Sequence, residues 1–229
     1  MYGAAWMNLT YLERAFALAA AVLLAGCSAS RPLAPIVDLP QPSAAQKPRH
    51  DCSVTLYGDS ILHGVADSAG KVRLEEHPAE VIERLRPAYF VVDKTVPGDF
   101  VVYRSSEFLR DRIMTRLVVI EHGMNDASQR FDYAEPLRKM IRRIKTLGKT
   151  PIVTGLSRSQ VGARDAYDAM ARRIATEEGA IFADWGAVGM TPADLQDGLH
   201  PAQAYSRRLA EQLVKALDRA TPECVTAQR

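Results

Sequence analysis

Cysteine is scarce in this 229-residue chain: Cys27, Cys52 and Cys224 stand far apart. No Cys and His cluster at ligand spacing, so neither a structural zinc nor any other metal or cofactor is expected. Charge of one sign is not in excess either. Lys and Arg number 29 against 27 Asp and Glu, a net charge of +2, which gives no reason to expect a nucleic-acid partner. The basic residues Arg138, Lys139, Arg142 and Arg143 read instead as the solvated face of a helix. The one pronounced apolar run, residues 15–26, is too short to cross a bilayer as a helix. Two familiar motifs are also missing. Leu62 occupies the last glycine position of a Gly-x-Ser-x-Gly nucleophile elbow. Gly148-Lys149-Thr150 lacks the earlier glycine of a phosphate-binding loop, where Arg143 stands, and it follows a helical pattern rather than a strand. There is no internal repeat and no sign of a second domain.

The N-terminal part does have a character of its own. The apolar run follows Arg14 and ends in Leu24-Ala25-Gly26-Cys27, which fits the apolar core of a signal peptide. The tetrapeptide resembles the lipobox of bacterial lipoproteins, in which the cysteine is acylated and becomes the mature N-terminus. Small residues fill both positions before Cys27, and the resemblance implies residues 1–27 as a lipoprotein signal peptide. Translation starts at Met1 or Met7. Ser28 after the cysteine resembles an outer-membrane sorting signal, which implies an exported protein anchored to the outer membrane and facing the periplasm. Residues 28–50 carry Pro32, Pro35, Pro40, Pro42 and Pro48 among Ala, Ser and Gln. This composition predicts an extended linker, able to hold a domain tens of ångströms from the membrane at about 3 Å per residue. The remaining residues 51–229, roughly 180 in number, suit one compact domain.

Within that domain, strand-like and helix-like segments alternate. Apolar, β-branched runs at residues 53–57, 89–96, 116–121, 151–156 and 180–184 read as buried parallel strands. Tyr133, Leu137, Met140, Ile141 and Ile144 share one helical face. Tyr167, Met170 and Ile174 form a second, and Tyr205, Leu209, Leu213 and Leu217 a third, with shorter helices at residues 78–86 and 102–112. The alternation predicts an α/β fold with a five-stranded parallel sheet covered by helices on both faces.

In such sheets ligands bind beyond the carboxyl ends of the strands. The turns expected there are Gly58-Asp59-Ser60, Pro97-Gly98-Asp99, Gly123-Met124-Asn125-Asp126 and, before the last helix, Asp197-Gly198-Leu199-His200-Pro201. A serine hydroxyl is a poor nucleophile without an adjacent base. His200 is the candidate base, and Asp197, three residues earlier, is close enough to orient the imidazole through Nδ1–H. The amides of Ser60 and Gly98 and the side-chain NH₂ of Asn125 are candidate oxyanion donors. Asp59 and Asp126 read as loop-stabilising acceptors. His63 and His122 fall near the same edge but have no carboxylate at the Asp197–His200 spacing, while His50 and His77 read as solvated loop residues. Arg158, Ser159 and Gln160 follow the fourth strand and read as a polar loop at that edge.

These blocks resemble those of the SGNH (GDSL) hydrolases over residues 54–217. Gly58-Asp59-Ser60 matches the first block, Gly98 the second, Gly123-x-Asn125-Asp126 the third and Asp197-x-x-His200-Pro201 the fifth. The resemblance implies a flavodoxin-like three-layer α/β/α sandwich, no metal, and hydrolysis of carboxylic esters or thioesters through an acyl-enzyme. The expected substrates are short acyl or O-acetyl groups on glycans or small molecules, or lysophospholipid. An O-acyltransferase with the same residues is the alternative within the family, and a non-catalytic binding lipoprotein is the alternative outside it. The chain departs from the family pattern in three places. Thr95-Val96-Pro97 stands where an Asn often precedes the second-block glycine, Ile61 replaces a Leu, and Ala204 lies where a glycine commonly follows the last histidine.

The topology also pairs two cysteines. The first strand starts opposite the proposed site, just after Cys52, and the last helix runs back from the site towards Cys224, so a Cys52–Cys224 disulfide is expected, worth about 2–4 kcal/mol.

Overall fold

The computed structural model describes residues 50–67 and 69–226. The expected signal peptide, Cys27 and nearly all of the expected linker lie outside the described residues. Among these residues, no helix is long and apolar enough to cross a membrane.

Five strands form one parallel sheet: β1 (Ser53–Gly58), β2 (Phe90–Asp93), β3 (Leu117–Glu121), β4 (Thr150–Thr154) and β5 (Ile181–Ala183). Their order is β2-β1-β3-β4-β5, with the chain reversing its direction of travel around β1. Among the described residues, seven α-helices connect or flank them: α1 (Ser60–His63), α2 (Pro78–Leu85), α3 (Val101–Phe108), α4 (Met124–Gln129), α5 (Ala134–Thr146), α6 (Arg164–Glu178) and α7 (Gln203–Ala220). α2 packs on α7 over one face of the sheet, while α5 packs between α3 and α6 over the other. This is the expected three-layer α/β/α sandwich.

The strands form where the sequence has apolar, β-branched residues able to sit between two helical layers. Every residue of β3 is buried, and Val54, Leu56, Val118, Val119 and Ile152 lie at the centre of the core. β2 departs from the expectation of a buried strand. Its ends are exposed, with Phe90 64% accessible, because it pairs only with β1 and forms the edge of the sheet. Backbone pairing nevertheless runs on past Asp93, through Lys94 N–H to Leu56 O and Val96 N–H to Gly58 O, both at 2.9 Å. That extension carries the chain up to the Gly98 turn. The α5 stripe read from the sequence is the buried one: Leu137, Met140, Ile141 and Ile144 face the sheet.

Cys52 and Cys224 are bonded, with Cα atoms 5.8 Å apart across a sequence separation of 172. The bond joins the start of β1 to the turn after α7, at the edge opposite the Ser60 turn. Closing so long a loop restricts the unfolded chain most strongly. Replacing both cysteines with alanine is therefore expected to lower unfolding free energy by about 2–5 kcal/mol in urea titration of the oxidised domain. Unchanged stability would show that the bond adds nothing to the fold.

Candidate active site

Parallel pairing sets three turns side by side. β1 lies between β2 and β3, so the turns after these strands emerge at one edge of the sheet. The loop before α7 closes over them. Ser60 is the first residue of α1, and the Asp59 carboxylate caps that helix by accepting the Ile61 N–H at 2.9 Å. His200 Nε2 lies 3.0 Å from Ser60 Oγ, and His200 Nδ1 lies 2.7 Å from Asp197 Oδ2. The other Asp197 oxygen accepts the backbone N–H groups of His200 at 2.8 Å and Leu199 at 3.1 Å. Burial alone would raise the Asp197 carboxyl, but the His200 backbone and imidazole bonds outweigh it and hold the group below its ordinary range. Asp197 is thus set up to remain an acceptor, and the arrangement allows a proton to pass between Ser60 Oγ and His200 Nε2.

A cleft of about 250 Å³ opens in front of this chain, lined by Ser60, Ala69, Gly70, Pro97, Gly98, Asn125, Leu199 and His200. Gly98 turns the chain with φ 76°, a conformation suited to glycine, and the turn is closed by Asp99 N–H donating to Val96 O at 3.1 Å. The Thr95-Val96-Pro97 departure therefore builds a Pro-Gly turn at this point. Asn125 Nδ2 donates to Asp99 O at 2.8 Å and reaches Asp59 Oδ2 at 3.4 Å. The side chain is thereby tied to both neighbouring turns.

The surrounding acids serve as clamps. Asp126 accepts Val101 N–H at 3.1 Å and Val102 N–H at 3.3 Å, capping α3 from a different element. Asp99 accepts from Arg104 Nε at 2.5 Å and lies 3.2 Å from His122 Nε2. Burial opposes ionisation of Asp99, yet His122 and Arg104 prevail and lower its pKa. Asp59 is fully buried, and that burial pushes its pKa up to about 6 against the opposing Ile61 N–H bond.

Of the other histidines, His63 Nδ1 pairs with Thr95 Oγ1 at 2.9 Å, and His122 is enclosed beside Asp99. Neither is the histidine paired with Ser60. His50 is exposed, as expected. His77 corrects the expectation of a solvated loop residue. It is half-buried at the start of α2, its Cβ pressed so close to Gly64 that a side chain there would collide at 2.8 Å. The end of α1 and the start of α2 meet at this point, which local sequence does not reveal. Gln160 N–H donates to Gly198 O at 2.9 Å, and its side chain fills the space beside Gly198. The Arg158 backbone N–H donates to Tyr205 Oη at 2.8 Å, and Ser159 Oγ lies 3.3 Å from Met124 Sδ. The loop after β4 therefore braces the Asp197–His200 loop.

Sequence reasoning missed the cleft walls Ala69 and Gly70, which carry no motif, and gave Leu199, inside the Asp197–His200 turn, no role of its own. It also missed Glu121. This residue ends β3 in the core, 3% exposed, and burial together with the Asp59 charge pushes its carboxyl well above the usual range. The signal was available, since a glutamate closing the apolar run Leu117–Ile120 has no place in a buried strand without a partner.

Residues 56–217 match the model of the GDSL-like lipase/acylhydrolase family. No curated protein matches the sequence. Among solved structures, TesA superposes with a TM-score of 0.60 at 23% identity, covering 73% of this chain and 98% of that one. An acetylxylan esterase from Geobacillus stearothermophilus gives 0.58 at 23% identity, covering 72% and 93%. The psychrotrophic esterase EstA from Pseudoalteromonas sp., inhibited by monoethylphosphonate, gives 0.62 at 13% identity, covering 75% and 100%. At these identities the likeness is one of fold.

The raised Glu121 carboxyl makes a prediction about stability. The folded chain holds this proton more tightly than the unfolded chain, so the contribution is present below the ordinary value of 4.5 and lost as pH rises above it. Glu121→Gln stays neutral and escapes that loss. Thermal melts are expected to show the variant gaining on the wild type as pH rises above about 4.5; a difference that is flat with pH would contradict the assignment.

Proposed function

The chain belongs to the GDSL-like lipase/acylhydrolase family and is an ester-bond hydrolase; from that premise we propose that it is a lipid-anchored serine esterase in which Ser60 is the nucleophile. The observation that carries this reading is the unbroken chain from Ser60 Oγ to His200 Nε2 at 3.0 Å and from His200 Nδ1 to Asp197 Oδ2 at 2.7 Å, at the wall of an open cleft.

In the proposed reaction His200 Nε2 takes the hydroxyl proton as Ser60 Oγ attacks the acyl carbon. Asp197 holds Nδ1–H and stabilises the imidazolium. The Ser60 and Gly98 amides and the Asn125 NH₂ receive the oxyanion. The alcohol leaves with the proton from His200, a water attacks the acyl-enzyme with His200 again as base, and the acid departs.

The proposed substrates carry short acyl groups, with O-acetyl esters of glycans the leading class and lysophospholipid another. The small cleft and its compact walls at Ala69, Gly70 and Gly98 support a short acyl group. The acetylxylan esterase of similar fold supports a glycan alcohol. We also propose export, acylation at Cys27 and attachment to the outer membrane facing the periplasm. The apolar run ending in Leu24-Ala25-Gly26-Cys27 supports this, and the Cys52–Cys224 bond fits an oxidising compartment.

Two measurements test the reading. Purified domain is expected to hydrolyse p-nitrophenyl acetate faster than long-chain esters and to be labelled by a fluorophosphonate, both lost in Ser60→Ala. Asn125→Ala is expected to lower kcat roughly 100-fold, the effect of removing one oxyanion donor. A folded wild type that neither turns over nor labels would overturn the assignment. For the anchor, Cys27→Ser is expected to move the full-length protein from the membrane fraction to the soluble fraction.

A further inference from the structure

Glu121 takes no part in the proton chain, yet the nucleophile turn is built around it. Its Oε2 accepts the Asp59 N–H at 3.1 Å, alongside its own carbonyl at the same distance, and the Leu62 N–H also faces the carboxyl. Gly58 pairs directly with Glu121 across the sheet, and a Cβ at Gly58 would lie 2.7 Å from Glu121 Oε2. Space in the nucleophile turn is therefore reserved for this carboxyl. Asp59, fixed from below in this way, touches both the helix that Ser60 begins and the Asn125 side chain. One of its oxygens caps Ile61 in the helix that begins with Ser60, and the other lies 3.4 Å from Asn125 Nδ2. A carboxyl buried at the end of an apolar strand is costly unless it is hydrogen-bonded, and the bonds Glu121 makes are all to the nucleophile turn.

We propose that Glu121 is a positioning residue for ester hydrolysis: it fixes the Asp59–Ser60 turn from beneath and, through Asp59, sets the Ser60 hydroxyl and the Asn125 amide in register. The inference rests on Ser60 as nucleophile and extends that reading to a residue outside the motif blocks. What the role requires is an acceptor oxygen at the reach of Glu121, not a charge.

Steady-state hydrolysis of p-nitrophenyl acetate by full-length wild type, Glu121→Gln, Glu121→Leu and Glu121→Asp tests this, with thermal melts of each. Gln presents a carbonyl oxygen at the same reach and is expected to keep kcat within about threefold of the wild type. Leu fills the space without an acceptor and is expected to lose kcat roughly tenfold or more at little-changed KM, as misplacement of reacting groups does. Asp withdraws the acceptor by one methylene. It is expected to fall between Gln and Leu, and it decides the matter should Leu fail to fold. A folded Leu or Asp variant with wild-type kcat would overturn the positioning role and leave Glu121 a structural residue. Ser60→Ala in the same assay separates the two levels. A wild type as silent as Ser60→Ala overturns the esterase reading and this inference with it, whereas an active wild type beside an equally active Leu variant overturns the inference alone.

Discussion

The parallel pairing of β1 with its neighbours is the constraint on which the rest of the structure depends. Because β2 and β3 flank β1 in parallel, their carboxyl ends open at the same edge. The Ser60 turn, the Gly98 turn and the Asn125 turn are therefore adjacent although they are spread over 66 residues of sequence. Backbone bonds from the β2 extension to β1 carry this registration up to the Gly98 turn. Moving β1 by one residue would invert its faces and take Ser60 away from His200.

Around the Ser60–His200–Asp197 chain, the acids work as acceptors for N–H groups. Asp59 caps α1, Asp126 caps α3, Asp99 is held between His122 and Arg104, and Glu121 holds Asp59. Short motif loops at a sheet edge leave many backbone donors without strand or helix partners, and buried donors need acceptors. Carboxylates meet that need at close quarters and leave Ser60, Gly98 and Asn125 lining the cleft. The opposite pKa directions follow from their surroundings. Asp99 and Asp197 have a histidine at hydrogen-bonding distance and stay ionised, whereas Asp59 and Glu121 share one buried space and resist it.

Much of the architecture was legible in the sequence because its signals are local. Strand runs alternate with helical stripes, and α5 buries the face read from Tyr133 to Ile144. The disulfide followed from direction alone, since β1 leaves the edge at which α7 ends. The edge position of β2 was not legible, because an apolar run reads the same whether one neighbour pairs with it or two. His77 was misread for a related reason: a polar residue before a proline looks like a loop until the helix after it is packed against Gly64.

By itself, the sequence determined the elements, their alternation and the Asp197–His200 pair, whose members are only three residues apart and meet within one loop. Only the tertiary structure decided how His200 comes to lie against Ser60 across 140 residues of sequence, and which buried carboxyl lies under the Ser60 turn. Residue type and spacing constrain what a side chain can do nearby. Contacts between distant residues depend on strand register and helix packing, which arise from the whole core at once.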